Sequence, residues 1–157
     1  MRKFIAIISL VAALGAGSTA RAESLFTDNE VSLMGFANYT DKANDYWGGG
    51  IGLSYFLTRN LGLGVSTSWT NFKGTFFDNL SGEGYLRLPL GQSPLAVYGI
   101  GSAGYSWEFE NWFFGAGAGV ELRFAKQFGV FSDIQWMFNE GGENDGVGIR
   151  IGLRLGM

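Results

Sequence analysis

Seven ionisable residues are spaced so that they would share one surface: Glu83, Arg87, Glu121, Arg123, Asp133, Arg150 and Arg154. Within each local run they stand an even number of positions apart, the period at which an extended chain returns to the same face. Apolar residues fill the alternate positions, with Leu86 and Leu88 around Arg87 and Ile149, Ile151, Leu153 and Leu155 around Arg150 and Arg154. Four guanidiniums against three carboxylates on one face have two chemical uses. They can line a selective passage, or they can neutralise one another in a space too narrow for water. Near balance favours pairing, because a charge held away from water without a partner costs several kcal/mol.

Other chemistry is thin. The chain has no His and no Cys, which removes the usual general base, thiolate metal sites and disulfides. Gly99 to Gly104 spells G-x-G-x-x-G, but it lies within a predicted strand and opens no helix whose amides could cradle a phosphate. Asn38-Tyr39-Thr40 and Asn79-Leu80-Ser81 are formal glycosylation sequons to which no role is assigned. The acidic run from Glu140 to Asp145 fits no metal-ligand spacing. No catalytic residue, cofactor site or metal site is predicted. A net charge of −3, more negative once Arg2, Lys3 and Arg21 leave with a leader, argues against nucleic acid as a partner.

The elements that must position the charges are strands. Twenty-six Gly, five Trp and 14 Phe against two Pro point to close-packed, aromatic-rich β structure, and no segment after the first twenty-odd residues keeps a helical period. Alternation predicts eight strands, at 31–39, 46–56, 61–69, 79–90, 95–106, 114–124, 128–138 and 147–157. In the second and third, Trp47, Ile51, Leu53 and Tyr55, then Leu61, Leu63, Val65 and Trp69, oppose Gly and Ser. Small residues on both faces leave the phase of the fifth open. In the sixth, Ala116, Ala118, Val120, Leu122 and Phe124 oppose Gly115, Gly117, Gly119, Glu121 and Arg123.

The last strand sets Val147, Ile149, Ile151, Leu153, Leu155 and Met157 against Gly148, Arg150, Gly152, Arg154 and Gly156. A strand this long and regular at an open sheet edge invites aggregation, so closure against the first strand is expected. Met1-Arg2-Lys3, an apolar run at 4–14 and Ala20-Arg21-Ala22 read as a secretory leader covering residues 1–22, with the barrel domain spanning 23–157. Eight segments of about ten alternating residues can span a bilayer with every backbone group paired. Turning the glycines inward makes room for the large polar side chains, and the substitution Gly152→Ser is accordingly expected to be mild. Trp47, Trp69, Trp107, Trp112 and Trp136 all fall beside the same set of connections, which makes an aromatic girdle at one membrane interface. The predicted fold is all-β, an eight-stranded antiparallel up-and-down transmembrane β-barrel. Its outer connections carry Asp41, Asp45, Asp78, Glu108, Glu110, Glu140, Glu143 and Asp145 against Lys42 and Lys73, an acidic rim, while Phe72, Phe76 and Phe77 either join the girdle or reach beyond the bilayer.

With these features together, the chain resembles the small eight-stranded bacterial outer-membrane barrels of the OmpA and OmpX type. The resemblance lies in the leader, the strands, the short turns and the alternating terminal strand, which is similar to the assembly signal of such barrels but ends on Met157 where they usually end on Phe. It implies a bacterial outer-membrane location, no peptidoglycan-binding domain after the barrel, and as partners the lipid bilayer, lipopolysaccharide and the barrel-assembly machinery, with a monomer expected. Enzymes built on such barrels typically use a His beside Ser or Asp, and this chain has none. A structural or surface role without catalysis is therefore expected. Adhesion through the outer loops or a small pore is the alternative, and a lipid-modifying enzyme comes third.

Overall fold

The computed structural model describes residues 25–41, 45–70, 77–107, 110–140 and 145–157. The predicted leader, and with it Lys42, Phe72, Lys73, Phe76, Glu108 and Glu143, lies outside the described residues. Eight strands follow one another: β1 (Glu30–Asp41), β2 (Asp45–Phe56), β3 (Leu61–Thr70), β4 (Asn79–Pro89), β5 (Leu95–Ser106), β6 (Asn111–Ala125), β7 (Phe128–Asn139) and β8 (Gly146–Gly156). Each pairs antiparallel with its neighbours in sequence, and β8 returns to β1 to close the barrel. Closure joins Leu33 to Leu155 and Asp41 to Val147 in register, and the Met157 amide just past β8 donates to the Val31 carbonyl at 2.8 Å. No described strand is left with an open edge. Connections at one end are short turns of residues 57–60, 90–94 and 126–127; the connections 42–44, 71–78, 107–110 and 140–145 share the other, loop end.

Alternation decides which face turns in. Leu53, Leu63, Leu86, Ile134 and Ile151 are exposed around the outside, while Ser54, Glu83, Arg87, Asp133 and Arg154 are buried within. A water-soluble protein does the reverse. The phase of β5 resolves with Ala96, Tyr98 and Ile100 inward and Val97 outward. A β-bulge near the turn end of β6 shifts the register between Arg123 and Ala125. Beside it Leu122, expected to face outward in the open, is buried instead, in register between Leu95 and Val130.

Glycine is used differently from the expectation. Gly35, Gly82, Gly84, Gly99 and Gly101 fall on the outer face, where a Cβ would meet nothing nearer than 3.9 Å. The inward glycines are occupied space. An added Cβ would strike the Phe36 ring at Gly50, the Phe56 ring at 2.6 Å from Gly62, the Phe113 ring at 2.5 Å from Gly104 and the Tyr98 ring at 2.5 Å from Gly119. Each of these four rings is thus seated on a glycine of an adjoining strand. Gly152 is also closed in, though by the neighbouring strand and not by a ring: its Cβ would collide with the Gly35 carbonyl oxygen and come within 2.7 Å of Phe36 Cβ. The room expected at Gly152 is therefore not there, and because the nearest neighbour is backbone the substitution Gly152→Ser is expected to require a local shift of β1 or β8.

Candidate functional site in the barrel lumen

The structure places Glu83, Arg87, Glu121, Arg123, Asp133, Arg150 and Arg154 inside the barrel, in two clusters separated by rings. The cluster nearer the turn end joins Arg87, Arg123 and Arg154 to Glu121 at 3.7, 2.6 and 3.0 Å. Glu30 completes it, paired with Arg87 at 3.3 Å and with Arg123. Sequence reasoning passed over Glu30 because the alternation was traced only from Val31. The strand starts one residue earlier, and Glu30 shares the inward face with Ser32 and Met34. With it the two clusters hold, among the described residues, four carboxylates and four guanidiniums.

The second cluster lies farther toward the loop end. Asp133 and Arg150 face each other directly across β7 and β8, and the guanidinium donates through Nε to Oδ1 at 2.9 Å and through Nη2 to Oδ2 at 3.1 Å. Its remaining nitrogen, Nη1, reaches Glu83 across the lumen at 2.6 Å. Tyr98 donates to Asp133 Oδ2 at 2.8 Å, Gln135 to Asp133 Oδ1 at 3.0 Å, Ser66 to Glu83 Oε1 at 2.8 Å and Tyr85 to Glu83 Oε2. Such saturation is what keeps ionic groups tolerable away from water.

Between and beneath the clusters sit apolar groups. Met34, Phe56, Tyr85, Tyr98 and Phe131 are buried in the lumen, with the Arg87 guanidinium 3.7 Å from the Phe56 ring centre and that of Arg154 5.4 and 5.5 Å from Tyr85 and Phe131. Below them Phe26, which precedes β1, is 2% exposed and faces the guanidiniums of Arg87 and Arg123 at 4.9 and 5.0 Å. Its segment is tied down: Arg123 Nη1 donates to the Leu25 carbonyl at 3.3 Å, the Arg59 amide to Asp28 at 2.6 Å and the Tyr55 hydroxyl to Asn29 at 2.9 Å. Asn29 turns the chain into the strand with a φ of 55°, a conformation asparagine tolerates better than most residues. No sequence pattern marked Phe26, since a single ring in an irregular segment carries no period.

Outside, Trp47, Trp107, Trp112 and Trp136 are exposed at or near the loop end. Trp69 is half-buried at the same end, its ring 3.0 Å from where a Gly49 Cβ would stand. Tyr105 packs against Trp107 and Trp112 and Tyr39 against Trp47, with ring centres 6.1, 5.4 and 4.8 Å apart. An exposed apolar wall, a buried ionic interior and a ring of indoles at one end are the distribution a lipid-embedded barrel requires. The family model described as the outer membrane protein beta-barrel domain matches residues 8–155.

The chain belongs to the outer membrane protein beta-barrel domain family. This places it in the bacterial outer membrane. Among solved structures it is similar to the N-terminal β-barrel domain of Pseudomonas aeruginosa OprF, at 17% identity and a TM-score of 0.59 over 83% of this chain and 98% of that one. It is also similar to a de novo designed transmembrane β-barrel, at 17% identity and a TM-score of 0.60 over 80% and 95%. Neisserial surface protein A is a third, at 10% identity and a TM-score of 0.58 over 80% and 95%. At such identities the likeness is one of fold. No curated protein matches by sequence.

Toward the loop end the lumen of this outer-membrane barrel widens into a cup of about 100 Å³, lined by polar groups including Asn38, Ser68, Asn79 and Gln135 together with Phe36 and Phe113. Asp78, expected on the exposed rim, is 6% exposed and lines this cup. Asp41, Glu110, Glu140 and Asp145 are exposed at the rim, as is Phe77. Among the described residues no three acidic side chains converge in a way that would hold a metal ion.

Proposed function

We propose that this outer-membrane protein is a non-conducting, non-catalytic barrel with a structural or surface role, its lumen sealed toward the turn end. The observation that carries the reading is the stack of Phe26, the Glu30, Arg87, Glu121 and Arg123 cluster and the ring layer above it, with Arg87, Glu121 and Phe56 at 0% exposure. An eight-stranded barrel has room only for side chains, and here those side chains pair in charge and pack against rings. A non-enzymatic role is supported by the pairing of the carboxylates: Asp133 and Glu83 are both bonded to the Arg150 guanidinium and to neighbouring hydroxyl or amide groups, which holds them in the ionised form within the network.

The partners follow from the surfaces. Lipid acyl chains cover the apolar wall, and lipopolysaccharide meets the acidic loop end through divalent cations. The terminal residues Val147, Ile149, Ile151, Leu153, Leu155 and Met157 are the stretch read by the assembly machinery, and the closed hydrogen-bond ladder favours a monomer. The turns then face the periplasm and the loops the outside.

Planar-bilayer recording tests the seal. Wild-type protein should give almost no current. Phe26→Ala, which removes the lowest ring and should destabilise by about 3–5 kcal/mol as a buried aromatic truncation, should give brief openings. Steady wild-type current would replace the sealed barrel with a small pore.

A further inference from the structure

We propose that residues 25–29 form a latch that docks last, on the finished barrel, and slows its reopening at the seam between β1 and β8. The latch concerns the order in which contacts form, so it stands whether or not the lumen conducts.

The segment crosses the floor of the barrel from one wall to the other. Next to β1, the Tyr55 hydroxyl of β2 donates to Asn29 at 2.9 Å, and the Arg59 amide in the β2–β3 turn donates to Asp28 at 2.6 Å. At the far end the Leu25 carbonyl accepts from Arg123 of β6 at 3.3 Å. Between them the Phe26 ring lies against the guanidiniums of Arg87 and Arg123. One short segment thus touches β2, β4 and β6. Its contacts do not exist until those strands stand in a ring.

These contacts also reach far along the chain: 26 residues from Asn29 to Tyr55, 31 from Asp28 to Arg59 and 98 from Leu25 to Arg123. Contacts that close long loops are rewarded only once the intervening chain is ordered. The segment lies outside the strand ladder, and Asn29, at a φ of 55°, sets it off from β1. It can therefore lift as a unit about that residue, in a local opening that leaves the strands paired.

Arg123 is the catch. Its Nε donates to Glu121 at 2.6 Å, its Nη1 to the carbonyls of Leu25 and, at 2.9 Å, Lys126, and its Nη2 to Glu30. The guanidinium joins the segment, the first residue of β1 and the β6–β7 turn, beside the β-bulge that begins at Arg123. The seam ends at the same place. There the Met157 amide donates to the Val31 carbonyl at 2.8 Å, and the Gly156 amide to the Gln127 carbonyl of the β6–β7 turn at 2.9 Å. For β1 to peel from β8 at the turn end, Glu30 and Val31 must move. With Glu30 held by Arg123 and Asn29 by Tyr55, the segment has to lift first. An interaction made after the folding transition state slows unfolding and leaves the folding rate unchanged.

The test is a urea-jump measurement of folding and unfolding rates in lipid vesicles, followed by tryptophan fluorescence, on the wild type, Phe26→Ala and Asp28→Ala. Phe26→Ala should unfold at least about tenfold faster and fold within about twofold of the wild-type rate. Asp28→Ala, which removes one exposed bond, should show the same split at about two- to threefold. Hydrogen exchange locates the effect. In Phe26→Ala the Met157 amide should exchange at least about tenfold faster, while the Leu90 amide, bonded to the Leu95 carbonyl at the same end but away from the seam, should stay within about twofold.

Folding slowed in proportion to the lost stability would overturn late docking, as would unchanged rates in both variants. Equal loss of protection at Met157 and Leu90 would overturn the tie to the seam. If Phe26→Ala yields no heat-modifiable folded form, Asp28→Ala carries the test, because its bond is exposed and its loss spares the buried ring. Steady wild-type current in a bilayer, with the rate split as expected, would overturn the seal and keep the latch.

Discussion

Removing Glu121 should be the most damaging change a single carboxylate can suffer in this barrel. Its side chain is fully buried and touches three guanidiniums, those of Arg123, Arg154 and Arg87. Glu121→Ala would leave those three cations facing Glu30 alone. One contact at 3.0 Å is worth about 5 kcal/mol at an effective dielectric near 20. Rearrangement of the arginines toward Glu30 and entry of water recover part of that. The net cost should therefore lie near the roughly 3–5 kcal/mol typical of a broken buried ion pair.

Glu121→Gln keeps the volume and one acceptor oxygen, so its cost isolates the charge. Arg154→Met should then rescue it, because Arg154 has its carboxylate contact with Glu121 and is otherwise surrounded by Met34, Tyr85 and Phe131. The double variant should be more stable than Glu121→Gln alone. Reversible urea unfolding in lipid vesicles, analysed as a double-mutant cycle, measures this. Additivity of the two changes within about 0.5 kcal/mol would refute the reasoning, as would a cost below about 1 kcal/mol for Glu121→Ala.

Ile151→Arg puts a charge on the lipid face of β8 and should cost about 2–4 kcal/mol if Ile151 lies near the bilayer midplane, read by the same unfolding assay. Gly152→Ser, one residue along on the inner face, should cost about 1–3 kcal/mol through overpacking against Gly35 and Phe36, and a neutral result would show that the socket yields. Deleting residues 153–157 removes the part of β8 paired with β1 from Ser32 to Gly35 and should abolish the heat-modifiable, membrane-inserted form while export continues. Normal amounts of that form from the truncated gene would count against closure as the requirement.

What the sequence disclosed and what it hid divide along one line. The fold was legible because period-two alternation is written into every strand: once Leu86 and Leu88 point out, Arg87 must point in. The placement of Asp133 and Arg150 could be anticipated for the same reason, since adjacent antiparallel strands joined by one loop leave few registers to choose from. Contacts across the lumen follow no such rule. That Arg150 also reaches Glu83 depends on how far each side chain extends over a gap the sequence does not encode. Glu30 was hidden by a strand boundary misjudged by one residue, and Asp78 by the assumption that loop acids face water.

The glycines expose a deeper ambiguity. Sequence reasoning treats a residue without a side chain as room to spare, yet here the room at Gly50, Gly62, Gly104 and Gly119 is taken by Phe36, Phe56, Phe113 and Tyr98. A glycine facing an aromatic across a strand pair is one packing unit, in which the ring supplies the surface the glycine lacks. The outer face repeats the device where Trp69 covers Gly49. Read this way, the glycine-rich strands account for the tight lumen and the sealed floor together. A narrow barrel cannot hold four arginines, their carboxylate partners and a layer of rings unless the opposing wall is pared to backbone wherever a ring must lie. Enlarging Gly62 or Gly119, which seat the Phe56 and Tyr98 rings of the sealing layer, should therefore disturb the seal as well as the stability.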